Sequence, residues 1–231
     1  MRPRGGARPV PAEWLLGSGT LLLVIFHYLL RADTVGVFSP QRGWHALTHG
    51  PVPLPLHYLA AALVLGVVPV ILAKAATGKS LAQLGLGLGD WRSGLRWLAV
   101  GLPLAILAGY VGAGSAPMRA VYPLDTTVGA DPRVFAPYAA LQFLYYGAWE
   151  VFFRGVLLFG LADRLGRTTA NLAQTGLSVT AHFGRAFSET FSALPAGLLF
   201  GWVTLRVRSI WYIAIIHWVV GISCDWFILQ H

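Results

Sequence analysis

Charged side chains are scarce in this sequence, and cysteine is almost absent. Asp, Glu, Lys and Arg make up 11% of the 231 residues, whereas a soluble globular domain usually carries about a quarter. The single cysteine, Cys224, excludes an intrachain disulfide and a C-x-x-C redox or zinc site. In contrast, 56% of the residues are hydrophobic and the mean hydropathy is +0.63. Together these values place the chain among membrane proteins.

Acidic residues are fewer than basic ones: nine Asp and Glu stand against 17 Lys and Arg, a net charge of +8. In a soluble protein this excess would suggest a nucleic-acid partner. Here the basic residues are scattered singly between apolar runs, which is typical of the loops that orient membrane helices. We therefore expect no nucleic-acid partner and expect membrane lipids around the protein.

Long apolar runs recur along the chain, and a membrane-spanning helix needs about 20 mostly apolar residues. The runs predict an all-α fold, a polytopic transmembrane helical bundle with about seven spans and a range of six to eight. The third run contains Pro103, which a membrane helix tolerates, and the fifth and sixth runs are the most polar. The predicted spans are 14–30, 55–73, 93–113, 134–162, 170–189, 191–205 and 209–228.

The basic residues also predict the orientation of the bundle. If the N-terminus is cytoplasmic, eleven Lys and Arg fall on the inner side and five on the outer side, with Arg154 left within the membrane. This asymmetry favours a cytoplasmic N-terminus. The chain starts basic and then turns apolar, and no small-residue cleavage pattern follows Leu30, which indicates a retained signal-anchor helix.

Ionisable side chains within the predicted spans are candidates for function, because a charge at the bilayer centre costs about 2.5–3.5 kcal/mol on insertion scales. Glu150 and Arg154 are four residues apart, so one helix face presents both within pairing distance. His182 lies near a span end, and Glu189 follows two turns later on the same face if the helix continues. His217 lies in the middle of the last span. A buried ion pair that only fixes helix packing remains an alternative for the first pair.

Considered together, three spans each contribute polar groups of the kind that bind zinc. A catalytic zinc keeps one coordination position open for water and activates that water. A nearby carboxylate then accepts a proton from the water. We predict that His182, His217 and Glu150 bind a divalent metal, zinc, while Arg154 steadies the carboxylate or the developing oxyanion. The auxiliary candidates of the same region are Glu189 and Asp225.

Two further motifs are interpreted as structural. His45 and His49 have the spacing of a helical metal site, but they lie in a polar loop and are expected to be solvated or interfacial. The glycine-rich stretch "GLGLGDW" at 85–91 does not join a strand to a helix, so phosphate binding is rejected.

The motifs of the second half resemble the CAAX-protease and bacteriocin-processing family of intramembrane metalloproteases. The resemblance rests on Glu-x-x-x-Arg-Gly at 150–155, a His near a span end, and "GLLFGWVTLRVRSIWYIAIIHWVVG" at 197–221. It covers about residues 134–228. It implies that residues 134–231 form the catalytic core and that residues 1–113 supply N-terminal scaffold spans, with the polar loop 114–133 between them.

The resemblance also implies an activity and a location. Glu150 and Arg154 match the second glutamate and the arginine of the family's first motif, and His182 and His217 match its two histidines. The implied protein is an intramembrane, metal-dependent endopeptidase in a prokaryotic cytoplasmic membrane. It would use metal-activated water to cut membrane-anchored peptides or protein C-terminal tails, such as bacteriocin-type peptides, prenylated tails or sorting signals.

Three positions depart from the family pattern: Trp149 replaces the first glutamate, Ser178 replaces a Phe, and Gly221 replaces a polar residue. One interpretation is that Glu150 supplies the carboxylate, or that Glu189 or Asp225 replaces the missing group. Another is a catalytically inactive binding or immunity protein on the same scaffold. A small transporter or proton relay is a third hypothesis, but the first three spans supply almost no polar residues and no internal repeat is visible.

Overall fold

The computed structural model describes residues 11–27, 54–125 and 128–230, and eight helices and no strand lie within these residues. The all-α prediction is therefore confirmed. His45, His49 and the basic N-terminal residues lie outside the described parts. The helices are α1 (Ala12–Ile25), α2 (Leu54–Ala61, continued by a π-helical turn Ala62–Val67 and by Val68–Thr77), α3 (Trp91–Ala113), α4 (Ala116–Arg119), α5 (Pro132–Glu150, continued by a π-helical turn Val151–Leu158 and by Phe159–Leu165), α6 (Arg167–Ala181), α7 (Phe187–Val207) and α8 (Trp211–Leu229).

Four of the described helices are long and apolar enough to cross a membrane, judged by length and composition: Pro55–Thr77, Trp91–Ala113, Phe187–Val207 and Trp211–Leu229. The predicted number of seven is not reached by this criterion. Helix α1 is apolar but short, α5 carries Glu150 and Arg154, and α6 is rich in Thr, Asn and Gln. Large apolar side chains such as Leu104 and Phe191 are exposed on the outer surface, as expected where lipid tails surround a helix.

Helix α5 lies at the centre of the bundle. Every residue from Gly147 to Leu158 is buried, and its aromatic and leucine side chains form the largest apolar cluster with residues of α1, α2 and α6. A helix that is buried on all sides cannot place a charged side chain in water. Glu150 and Arg154 must therefore find their partners inside the protein.

Among the described helices, α3 and α8 make the most extensive contact. Small residues of α3 make this approach possible: a Cβ atom added at Gly94 would overlap the ring of Tyr212, and one at Gly109 would lie 2.7 Å from the backbone nitrogen of Cys224. Small residues at such contacts are how membrane helices pack closely without a hydrophobic driving force. Pro103 lies within the continuous helix α3, as predicted.

The glycine-rich stretch before α3 docks against the turn between α7 and α8. The backbone N–H of Asp90 donates to the carbonyl of Val207 (2.7 Å), and the indole N–H of Trp211 donates to the carbonyl of Leu86 (2.9 Å). Gly89 has φ +55°, and a side chain there would collide with the backbone of residues 207 and 208. The glycines thus permit contact between the two backbones.

Helix α6 ends earlier than predicted. The sequence predicted a span over 170–189, whereas α6 ends at Ala181 and α7 begins at Phe187. Gly184, with φ +87°, turns the chain between them. The expectation that Glu189 continues the helical face of His182 is therefore wrong, because the two residues belong to different helices.

Candidate active site

Glu150 and Arg154 lie where α5 passes from an α-helix into its π-helical turn, a distortion that often accompanies functional sites. Arg154 Nη1 donates a hydrogen bond to Glu150 Oε1 at 3.1 Å. The Glu150 side chain is 0% exposed and that of Arg154 is 2% exposed. The guanidinium also lies over the rings of Phe153 and Phe200, at 5.8 and 5.7 Å. The pair that the spacing indicated is thus present and fully enclosed.

His217 on α8 meets the same carboxylate. Its Nδ1 lies 2.7 Å from Glu150 Oε1. A carboxylate at this distance accepts a hydrogen bond from Nδ1–H, which leaves Nε2 as the ring nitrogen that can accept. His217 lines two cavities of the protein, while Glu150 lies behind it, buried. The imidazole therefore presents its basic nitrogen to the site, and the carboxylate fixes its tautomer.

His182 is held by a different acceptor. Its Nδ1 lies 2.6 Å from the backbone carbonyl of Ser178, one turn earlier on α6. The structure therefore brings Glu150 to His217 but gives His182 a local partner. The ring of Trp149 packs edge-on against His182, with centroids 5.2 Å apart, and the Trp149 side chain is buried.

Glu189 reaches the same region from α7. The hydroxyl of Tyr122 donates to both of its carboxylate oxygens, at 3.0 and 3.1 Å. Arg185 lies over the Tyr122 ring at 5.6 Å. Tyr122 lies in the loop between two predicted spans. Desolvation by burial raises the pKa of its hydroxyl well above the ordinary value. The neutral phenol is thus the hydrogen-bond donor to Glu189.

Asp225 belongs to a separate polar cluster deeper in the bundle. Its Oδ2 accepts hydrogen bonds from the Tyr138 hydroxyl (2.7 Å) and from Gln142 Nε2 (2.6 Å). The side chain is buried, and it lines the smaller of the two cavities. It is therefore satisfied by neutral donors, without contact to either imidazole.

Two cavities adjoin at the site, one of about 370 Å³ and one of about 150 Å³. The larger is walled mostly by apolar and aromatic side chains, including Leu23, Phe26 and Trp149, and it also contains His57 from α2. Polar residues of the N-terminal helices thus contribute to the site, which the sequence analysis did not foresee. The side chains that line both cavities are Tyr122, Tyr146, His182, Glu189 and His217.

The residues predicted to bind zinc are Glu150, His182 and His217. Among the described residues, no group of three or more His, Cys, Asp and Glu side chains is arranged to hold a metal ion. The Nδ1 contacts of the two rings do not argue against a metal, because a metal-binding histidine usually donates its other ring N–H to a carboxylate or a backbone carbonyl. Glu150, the third predicted ligand, is buried, and its Oε1 already accepts from Arg154 and His217.

Sequence reasoning missed Tyr146, Tyr122 and the aromatic wall around His57. For Tyr146 a signal exists, because Tyr146, Glu150 and Arg154 are spaced four residues apart on one helix face. For Tyr122 none exists, since it lies in a polar loop 67 residues from Glu189.

Comparison with known proteins gives one match. Residues 133–223 match the family model described as type II CAAX prenyl endopeptidase Rce1-like. Nothing matches this chain among the curated proteins or among the solved structures. The matched region contains Glu150, Arg154, His182 and His217, and it spans α5 to α8. Over this region, which is less than half of the chain, the protein is similar to the Rce1-like family of membrane proteases.

Proposed function

We propose that this protein is an intramembrane endopeptidase in which His217, held by Glu150, activates the attacking water. The observation that carries the proposal is the 2.7 Å contact between His217 Nδ1 and Glu150 Oε1. A carboxylate that fixes the tautomer of an imidazole and stabilises its protonated form is the arrangement that makes histidine an effective general base. The family match supports protease chemistry in general.

In the proposed reaction, His217 Nε2 takes a proton from a water molecule in the cavity. The oxygen of that water bonds to the carbonyl carbon of the scissile peptide, and the carbonyl oxygen becomes an oxyanion. The C–N bond then breaks as the protonated His217 returns the proton to the leaving amine. Arg154 is a positioning residue that holds the carboxylate against His217.

The larger cavity suggests the substrate class. Its apolar and aromatic wall and its volume of about 370 Å³ suit an apolar chain, and binding cavities of this kind typically measure about 300–1,000 Å³. The name of the matched family points to prenylated proteins. We therefore propose a membrane-anchored peptide tail as the substrate, with its lipid group in this cavity and the scissile bond beside His217.

Cleavage of a defined peptide tests the proposal. The purified full-length chain in lipid vesicles is given a prenylated Cys-aliphatic-aliphatic-X peptide with a fluorophore and a quencher on either side of the bond after the cysteine. We expect cleavage by the wild type and background rates for His217→Ala, with circular dichroism showing that the variant is still folded at the assay temperature. Wild-type rates in His217→Ala would refute the role of this imidazole.

The same assay separates this mechanism from the metal-dependent one that the sequence suggested. Because no three ligand side chains gather among the described residues, we expect a chelator such as phenanthroline to leave the rate unchanged. Loss of activity that zinc restores would contradict the His217 mechanism and support metal catalysis.

One observation favours a second function, the binding of such a tail without cleavage. Trp149 stands where the family has its first glutamate, and its ring packs against His182. A tryptophan cannot accept a proton from water. If the wild type binds the prenylated peptide and releases no product, and if His217→Ala binds it equally well, the binding function replaces the hydrolase.

A further inference from the structure

Tyr146 lies on α5 one turn before Glu150, and its ring packs edge-on against the ring of His217 with centroids 4.8 Å apart. It is one of the side chains that line both cavities. A group in this position faces the space in which a peptide carbonyl would meet water activated by His217.

Gly221 creates the space for the Tyr146 hydroxyl. It lies one turn after His217 on α8, and a Cβ atom added there would overlap the hydroxyl oxygen of Tyr146. The absence of a side chain at 221 therefore allows the phenol to lie directly against α8 beside His217. Sequence comparison with the family pattern showed only that a polar side chain is missing at 221, whereas the structure shows that a hydroxyl from α5 occupies the place.

The Tyr146 hydroxyl is also available as a donor. Several other tyrosines have defined acceptors: Tyr122 bonds Glu189, Tyr138 bonds Asp225 and Tyr212 bonds the carbonyl of Leu88. Within the parts of the chain that the structure describes, Tyr146 makes ring contacts and no hydrogen bond to protein. Its O–H can therefore be directed to a bound molecule without breaking an existing bond.

We propose that the Tyr146 hydroxyl donates a hydrogen bond to the oxygen of the scissile carbonyl as negative charge develops on it. This inference rests on the hydrolase function proposed above and names the group that stabilises its oxyanion. The proton stays on the phenol throughout, so His217 alone transfers protons. The hydrogen bond from such a donor becomes stronger as the carbonyl oxygen gains negative charge. It therefore lowers the activation barrier for cleavage more than it tightens substrate binding.

Tyr146→Phe tests this role because it removes the hydroxyl and keeps the ring on His217. Loss of one oxyanion donor typically lowers kcat about 10²–10³-fold, and we expect this loss with KM changed by no more than roughly threefold, since the interaction forms in the transition state. Tyr110→Phe is the matched control, since Tyr110 is exposed on α3 and lines neither cavity. It should keep the wild-type kcat.

Gly221→Ala is the second variant. The new methyl group on α8 would occupy the position of the Tyr146 hydroxyl and displace it. We expect a loss of kcat similar to that of Tyr146→Phe, and no further loss in the double variant, since both changes remove the same interaction. Multiplied losses in the double variant would overturn the shared role.

The outcomes separate this inference from the proposed function. If the wild type cleaves the prenylated peptide, His217→Ala does not, and Tyr146→Phe cleaves at the wild-type kcat, the role of Tyr146 is refuted and the hydrolase stands. If the wild type cleaves no peptide, the hydrolase and the oxyanion role are refuted together.

Discussion

At the scale of single residues, Glu150 is the side chain on which the site depends. Its Oε1 accepts from both Arg154 and His217, while Oε2 is buried without a hydrogen-bond partner. Removing one partner of a buried ion pair typically costs about 3–5 kcal/mol, because the other charge is left uncompensated. Enclosing this carboxylate is therefore unfavourable unless Arg154 and His217 are both in place.

Glu150→Gln separates the chemical role of this carboxylate from its structural role. The amide keeps the shape and one acceptor oxygen, but it no longer selects a single tautomer of His217. An equivalent amide replacement in a catalytic triad lowers kcat about 10⁴-fold, and we expect a loss of that order, measured with the prenylated peptide.

The matched control is Asp163→Asn, the same chemical change at an exposed ion pair with Lys79. An exposed pair contributes less than about 1 kcal/mol, so kcat and thermal unfolding should stay near the wild-type values. Equal kcat in Glu150→Gln and the wild type would show that the carboxylate does not orient the general base.

The sequence allowed the Glu150–Arg154 pair to be predicted, because a spacing of four residues is a local property of a helix. It did not allow the partner of His217 to be identified, since Glu150 is 67 residues away. The bond between His182 and Ser178 is local, but an imidazole beside a helix end has several possible acceptors. Long-range contacts of this kind depend on tertiary packing, which one sequence does not specify.

At the scale of helices, the close contact of α3 with α8 organises the second half of the bundle. It relies on glycines of α3 where a Cβ atom would overlap α8: the ring of Tyr212 at Gly94, the side chain of Ile216 at Gly101 and the backbone nitrogen of Cys224 at Gly109. Glycine is otherwise unfavourable in a helix by about 0.5–1 kcal/mol relative to alanine. At Gly94, Gly101 and Gly109 the close contact with α8 offsets this cost.

Two Gly→Ala changes test this balance. At Gly109 the new methyl group would lie 2.7 Å from a backbone nitrogen of α8, whereas nothing lies within 4 Å of a Cβ atom at Gly176 on α6. We expect Gly109→Ala to destabilise the protein by about 1–3 kcal/mol, the usual cost of overpacking. Gly176→Ala should stabilise it by about 0.5–1 kcal/mol.

Unfolding in mixed detergent micelles, followed by circular dichroism, measures both variants. Stabilisation of the protein by Gly109→Ala would show that α3 and α8 are not in close contact.

Helix bounds were predictable where a run is uniformly apolar, as in 93–113 and 209–228, which correspond to α3 and α8. The prediction failed around His182, where polarity is mixed and the turn depends on one glycine in a left-handed conformation, Gly184. The π-helical turn Val151–Leu158, which carries Arg154, was not predicted from the sequence.

At the scale of the whole molecule, the protein is an integral membrane bundle whose cytoplasmic N-terminus stays a prediction. The loop 78–90 between α2 and α3 should face the cytoplasm, and the loop 114–131 should face the other side. Ser80 and Ala130 are exposed residues of these two loops. A single cysteine can be introduced at either position because Cys224 is the only native one.

We expect Ser80→Cys and Ala130→Cys, each combined with Cys224→Ala, to react with a membrane-impermeant maleimide from opposite sides. In intact cells Ala130→Cys should be labelled, and Ser80→Cys only after the membrane is opened. Labelling of Ser80→Cys in intact cells would reverse the predicted orientation.

The pairing of α8 with α3 limits how far the family region can be separated from the rest. Residues 133–223 include most of α8 but none of α3. Excised alone, that segment would leave the ring of Tyr212 without the groove at Gly94, and the indole of Trp211 without the acceptor at Leu86. The part that resembles a protease therefore requires the preceding helices as packing partners. Its activity is better tested by substitutions in the full chain than by truncation.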